Sequence, residues 1–132
     1  MRALCSDQIE VYGDGSQVSD CVFVGDVARV LVKAWEAASA GRVFDRVVEV
    51  GPVEHRTVLQ VAELVRWWAG SDSPIMHLPM RPGEEPGASV TADVSTLGLV
   101  GEDPTGFVSL GNGLAETVGW FRANEGVTWH RP

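Results

Sequence analysis

Few side chains of this 132-residue chain stand where reactive chemistry needs them. Its three histidines, His55, His77 and His130, have no metal-like spacing with one another or with the two cysteines, so no metal site is expected. Cys5 and Cys21 form no C-x-x-C pair and are read as two reduced thiols of a cytoplasmic protein. No G-x-G-x-x-G or G-x-x-G-x-x-G occurs, so no glycine-rich turn of that kind can seat a dinucleotide pyrophosphate. Tyr12, the only tyrosine, reads as a half-buried strand residue whose ring can face a sugar or a base. Arg81, in Arg81-Pro82-Gly83-Glu84, is a loop arginine with two readings: a phosphate contact, or a solvated side chain paired with Glu84 or Glu85.

The elements that must position these residues follow from periodicity and punctuation. Ile9 to Tyr12 is a short strand candidate, and Gly13-Asp14-Gly15 is a turn signal, because glycine tolerates positive φ. Cys21 to Val24 is an apolar run short enough for a buried strand. Asp26 then stands as an N-cap, before a helix carrying Val27, Val30, Leu31, Ala34, Trp35 and Ala38 and ending near Gly41. Arg46 to Val50 is a further strand candidate. Thr57-Val58-Leu59-Gln60 matches the capping box and opens a helix that stops at Gly70. Trp67 and Trp68 cannot share one face of it. Ile75 to Leu78 is a strand candidate, and Pro79 to Gly87, with three prolines and two glycines, is a loop. Asp93 caps a short turn through Leu97, and Ser109 caps a last helix, in which Gly111, Gly113 and Gly119 each cost about 1 kcal/mol against alanine. The expected fold is α/β: a small domain, residues 1–125, with three main helices around a short, incomplete sheet, and a loose tail over 126–132.

The balance of ten Lys and Arg against eighteen Asp and Glu gives a net charge of −8. That argues against nucleic acid and against anionic membranes as partners. Apolar runs fall well short of the ~18–20 residues that span a bilayer.

The order of the pieces resembles the C-terminal, substrate-domain portion of extended short-chain dehydrogenase/reductases, the NAD-dependent nucleotide-sugar epimerases and dehydratases. Four blocks carry the resemblance: Tyr12-Gly13-Asp14-Gly15-Ser16-Gln17; Val24-x-Asp26-Val27-Ala28; Val47 to Gln60; and Arg81-Pro82-Gly83-Glu84 followed by Ala92-Asp93-Val94-Ser95. The resemblance implies substrate contacts at Arg81, Gln17, Ser19 and Tyr12, with Arg81 on the pyrophosphate. Ser19 stands where the family has a second phosphate-binding arginine. Losing one charged hydrogen bond of about 1.5–3 kcal/mol corresponds to roughly 10- to 100-fold in affinity. Gly25 departs from a common acidic position. The family's base, a tyrosine four residues before a lysine, has no match, since Ser16 follows Tyr12 at that spacing.

The resemblance therefore implies the back half of such an enzyme without its Rossmann half, with no catalytic residue and no cofactor of its own. Three functions follow as expectations. The first is a relic substrate domain, inactive alone, that self-associates as a homodimer and binds nucleotide-sugar weakly. The second is an interaction or structural module with no ligand. The third is one half of a split enzyme acting with a separate Rossmann-domain protein. In the family fold the strand resembling Arg46 to Val50 joins the cofactor domain's sheet, and the helix after Asp26 packs beside it, so both are expected to leave uncovered surface.

Overall fold

The computed structural model describes residues 2–124; the expected loose tail lies outside them. The described chain is α/β. Its strands are β1 (Ile9–Tyr12), β2 (Val18–Ser19), β3 (Arg56–Thr57), β4 (Ile75–Leu78) and β5 (Ser89–Val90), and its helices are α1 (Val24–Ser39), α2 (Val58–Trp68) and α3 (Leu110–Ala123). Short 3-10 turns cover Arg2–Cys5, Val94–Val100 and Pro104–Gly106. The incomplete sheet resolves into two: β1 beside β4, parallel, and a three-stranded sheet in the order β3-β2-β5.

The local signals that specify turns and caps hold. In β1 the inward residue is Val11, opposite His77, while Tyr12 pairs with Leu78. The turn that follows needs glycine twice over at Gly15, where φ is +75° and an added Cβ would lie 2.8 Å from Leu59 Cβ. That close approach seats α2. The Gly15 and Gln17 carbonyls accept from the Leu59 and Val58 amides, at 3.0 and 2.9 Å. Two of the helix's orphan donors are thereby satisfied. The capping box supplies the rest: the Gln60 amide donates to Thr57 Oγ1 and the Thr57 amide to Gln60 Oε1. Asp93 accepts from the Ser95 amide and opens the Val94–Val100 turn, and Ser109 accepts from Asn112 at the start of α3. Trp67 points outward while Trp68 is half-buried, against Gly111.

Four expectations fail. Cys21 to Val24 is not a buried strand: Cys21 is exposed, and Val24 already belongs to α1. The β2 ladder ends at Ser19 because the next residue, Asp20, uses its side chain instead, accepting from the Ala92 amide at 2.8 Å and meeting His55 Nδ1 at 2.7 Å. Asp26 is not the N-cap. That position is Phe23, and Asp26 lies fully buried in the first turn, with Oδ2 accepting from the Val108 amide and Oδ1 in an ion pair with Arg29 at 2.8 Å. The predicted apolar stripe of α1 is split: Val30 and Ala34 face the core, whereas Leu31 and Trp35 face away. Arg46 to Val50 forms no strand, having no ladder partner among the described residues. It is held by side chains. Val48 and Val50 join Phe44, Val94 and Phe107 around a core of Val30, Leu97 and Val100. Thr96 Oγ1 accepts from the Glu49 amide at 2.8 Å.

Candidate functional site

The two small sheets converge on one cavity because both ends of the loop after β4 are tied down. At one end the Gly13 amide donates to the Leu78 carbonyl at 2.8 Å. At the other the Val18 amide donates to the Ala88 carbonyl at 2.8 Å, continuing into the parallel β2–β5 pairing. The loop therefore arches over the space between β1, β2 and the start of α2. A cavity of about 570 Å³ opens there, within the ~300–1,000 Å³ typical of small-ligand sites.

Tyr12, Gln17, Ser19 and Arg81, named from sequence, all line this cavity. The Arg81 guanidinium lies over the Tyr12 ring, 4.1 Å from its centroid, in a cation–π contact. Arg81 Nη1 also lies 3.5 Å from Glu84 Oε1, so the solvated pairing is realised, loosely and in the open. Gln17 is held differently. Its Nε2 donates to the Tyr12 carbonyl and to Met80 Sδ, both at 3.1 Å, which fixes the amide and leaves the buried Oε1 without a partner. Ser19 is exposed on the rim.

The sequence points to Glu84 and Glu85 only as partners of Arg81, and does not single out Glu10. Glu10, Glu84 and Glu85 line the same cavity. Glu10 was accessible from strand alternation, since residues two apart on β1 share a face and Tyr12 had been placed. Of the two loop carboxylates, Glu84 is the one that pairs with Arg81, and Glu85 lines the cavity beside it. Glu10 is bound to Arg2 at 2.6 Å. Asp14, beside the site, is held below the usual carboxylate range by the Ser16 hydroxyl and amide, and shapes the turn rather than the cavity.

A wider cavity of about 660 Å³ runs along the outer side of α2, lined by Arg56, Arg66, Trp67, Glu63 and Asp72 among others. It contains none of Tyr12, Gln17, Ser19 and Arg81, and its basic and acidic side chains balance. Among the described residues no group of three or more His, Cys, Asp or Glu can hold a metal ion, and no helix is long and apolar enough to cross a membrane.

The residues described do not fit a dinucleotide. The two strand-to-helix passages, Ser19 to Val24 and Thr57 to Val58, carry no glycine. The first amides of α2 are already bonded to Gly15, Gln17 and Thr57. A pyrophosphate needs such amides unpaired.

No family model matches the chain. It is 34% identical to a dTDP-glucose 4,6-dehydratase of an Actinoplanes species over 125 residues, 93% of this chain and 37% of the dehydratase. It is 31% identical to a UDP-N-acetyl-alpha-D-glucosaminuronate decarboxylase of Bacillus cytotoxicus over 127 residues, 93% of this chain and 38% of the decarboxylase. Its fold superposes on the UDP-glucose 4-epimerase of Thermotoga maritima, solved with UDP-glucose, with a TM-score of 0.80 and 30% identity, covering 94% of this chain and 38% of the epimerase. The chain thus spans under two-fifths of the length of these relatives. Sequence and fold agree in making it the counterpart of the C-terminal portion of an extended short-chain dehydrogenase/reductase of the nucleotide-sugar epimerase and dehydratase kind.

Proposed function

We propose that this chain is a nucleotide-sugar-binding unit of the substrate-domain type, catalytically silent alone. Its cavity would take the diphosphate of a UDP- or dTDP-linked sugar on Arg81, with Gln17 and Ser19 as neutral hydrogen-bonding groups and Tyr12 beneath. One observation carries the reading: Arg81 lines a single cavity of ligand size together with Tyr12, Gln17 and Ser19, which lie more than sixty residues earlier in the chain. The likeness to an epimerase solved with UDP-glucose supports it.

Binding is weak in this reading. Arg81 has to exchange Glu84 for phosphate, which is cheap, because an exposed ion pair is worth at most about 1 kcal/mol. The carboxylates of Glu10, Glu84 and Glu85 repel an anion, and Ser19 offers no charge. The unbridged thiols of Cys5 and Cys21 agree with a cytoplasmic setting. The unit covers its remaining apolar surface by association, with a second copy or, in a split-enzyme reading, with a separate dinucleotide-binding protein.

Amide chemical shifts followed during titration with UDP-glucose and dTDP-glucose test the proposal. Millimolar binding centred on Tyr12, Ser19 and Arg81 is expected. Arg81→Gln should weaken it by about 10-fold or more, and Ser19→Arg should strengthen it by roughly 10- to 100-fold. Unchanged spectra at millimolar ligand, or binding indifferent to both substitutions, would overturn it.

A further inference from the structure

The cavity along the outer side of α2 takes no part in the proposed nucleotide-sugar site. Gln60, Glu63 and Trp67 line it at i, i+3 and i+7, so one face of the helix forms its floor. Arg56, on β3, stands before that face, and Asp72 follows the end of α2. The whole lining lies within residues 56–72, a segment folded largely by its own signals. The capping box fixes the start of the helix. At its end Gly70 takes the left-handed turn, with φ +55°, and the Ser71 amide donates to the Arg66 carbonyl at 3.1 Å. Arg122 of α3 secures the same end, donating to the Ala69 carbonyl at 2.9 Å. The volume, about 660 Å³, falls in the ~300–1,000 Å³ of small-ligand sites.

Its chemistry is an aromatic face among uncommitted polar groups. Trp67 is 69% exposed, yet its ring is held. It meets Trp68 edge to face, 4.7 Å between centroids at 83°, and Trp68 is lodged against Gly111. Among the described residues, no hydrogen bond or ion pair engages the side chains of Glu63, Arg66 or Asp72. Gln60 commits its Oε1 to the capping box and leaves Nε2 open. Two cations, Arg56 and Arg66, balance two carboxylates, Glu63 and Asp72, so neither an anion nor a cation gains from the net charge. What remains is a flat indole beside planar groups that donate and accept. That combination matches a neutral ligand with a C–H face and a girdle of hydroxyls, each able to donate and accept at once. A pyranose ring is such a ligand. The helix offers this face over 11 residues, about 16 Å, which suits a short chain of rings better than one ring.

We propose that the outer face of α2 binds a neutral oligosaccharide, stacked on Trp67 and hydrogen-bonded by Glu63, Arg66 and Asp72. This site shares no residue with the cavity around Arg81, so it stands or falls independently of nucleotide-sugar binding there.

Titration with maltotriose and with cellotriose tests it, followed by the indole N–H shift of Trp67 and the amide shifts of residues 60–72. Millimolar binding of at least one trisaccharide is expected. Trp67→Ala should weaken it by about 10-fold, and Glu63→Ala and Asp72→Ala, both at exposed positions, by about 2- to 10-fold each, with unchanged far-UV circular dichroism. Arg81→Gln should leave it unaltered. Shifts that stay fixed at about 20 mM of both trisaccharides overturn the proposal. So does binding that survives Trp67→Ala and Glu63→Ala, or binding reported only by Tyr12 and Ser19. An equal response to glycine, a zwitterion that meets the same charges without an aromatic contact, overturns it too. UDP-glucose titration of Trp67→Ala separates the two sites: nucleotide-sugar binding retained with trisaccharide binding lost supports both, and trisaccharide binding with no response to UDP-glucose sinks only the site around Arg81.

Discussion

The two ends of this small molecule are built on opposite principles. Around the cavity, order is local and polar. Glycine turns, a capping box and two backbone ties hold Tyr12, Gln17 and Arg81 within an acidic rim. Around α1, order is long-range and apolar. Val30, Leu97 and Val100 join segments some seventy residues apart, and the outer surface leaves large apolar side chains such as Leu31 and Trp35 exposed. The first region presents polar groups to its cavity, whereas the second leaves Val24, Leu31 and Trp35 exposed.

The sharpest way to break the contrast is to remove the apolar half's keystone. Leu97 is fully buried among α1, the 44–50 segment and the turn that carries it. Leu97→Ala should destabilise by about 2–5 kcal/mol, lowering the melting temperature by roughly 8 °C or more. Amide exchange should rise first in α1 and residues 44–50, with the β1–β4 pair protected longer. Uniform loss of protection would mean that the two regions are one cooperative unit. On the other side, Thr57→Ala removes one arm of the capping box and should cost about 1 kcal/mol. Its effect should fall on the Val58 and Leu59 amides and on the cavity floor, leaving α1 unaltered.

What was legible in the sequence follows the same division. Thr57-Val58-Leu59-Gln60, Gly13-Asp14-Gly15 and the proline-rich loop act within four residues or so, and each did what its chemistry dictates. The cavity residues came together because a family resemblance pointed to them; periodicity alone would have left Arg81 a loop arginine. The apolar half misled. Arg46 to Val50 has the composition of a strand, but a strand is defined by its neighbour, and Thr96 ties the segment instead. Leu31 and Trp35 have the spacing of core residues, and spacing cannot say which of two apolar faces is inside. Asp26 looked like a cap because caps and buried acids share a residue type. Its real partner, the Val108 amide, lies 82 residues away.

The smallest expected effect tests whether the ion pairs obey the contrast too. Glu102 meets Lys33 Nζ at 2.8 Å and Arg29 Nε at 3.2 Å, bridging the turn region to α1. Lys33 first, then Arg29, hold its carboxyl below the ordinary value of 4.5. A carboxyl depressed in the folded state contributes stability that is fully present above its unfolded value and is lost as pH falls through the folded one. Unfolding free energy should therefore decline as pH drops below about 4.5, and Glu102→Gln should flatten that decline. Asp14 is depressed as well, by Ser16 two residues away. An unfolded chain keeps part of so local a contact, so the value differs less between states. Asp14→Asn should flatten the acid limb less than Glu102→Gln, measured by urea unfolding between pH 3 and 6. The reverse order would show that the turn beside the cavity, rather than the tie across to α1, carries the acid sensitivity, and the division between a locally ordered end and a long-range one would fail for charge even where it holds for packing.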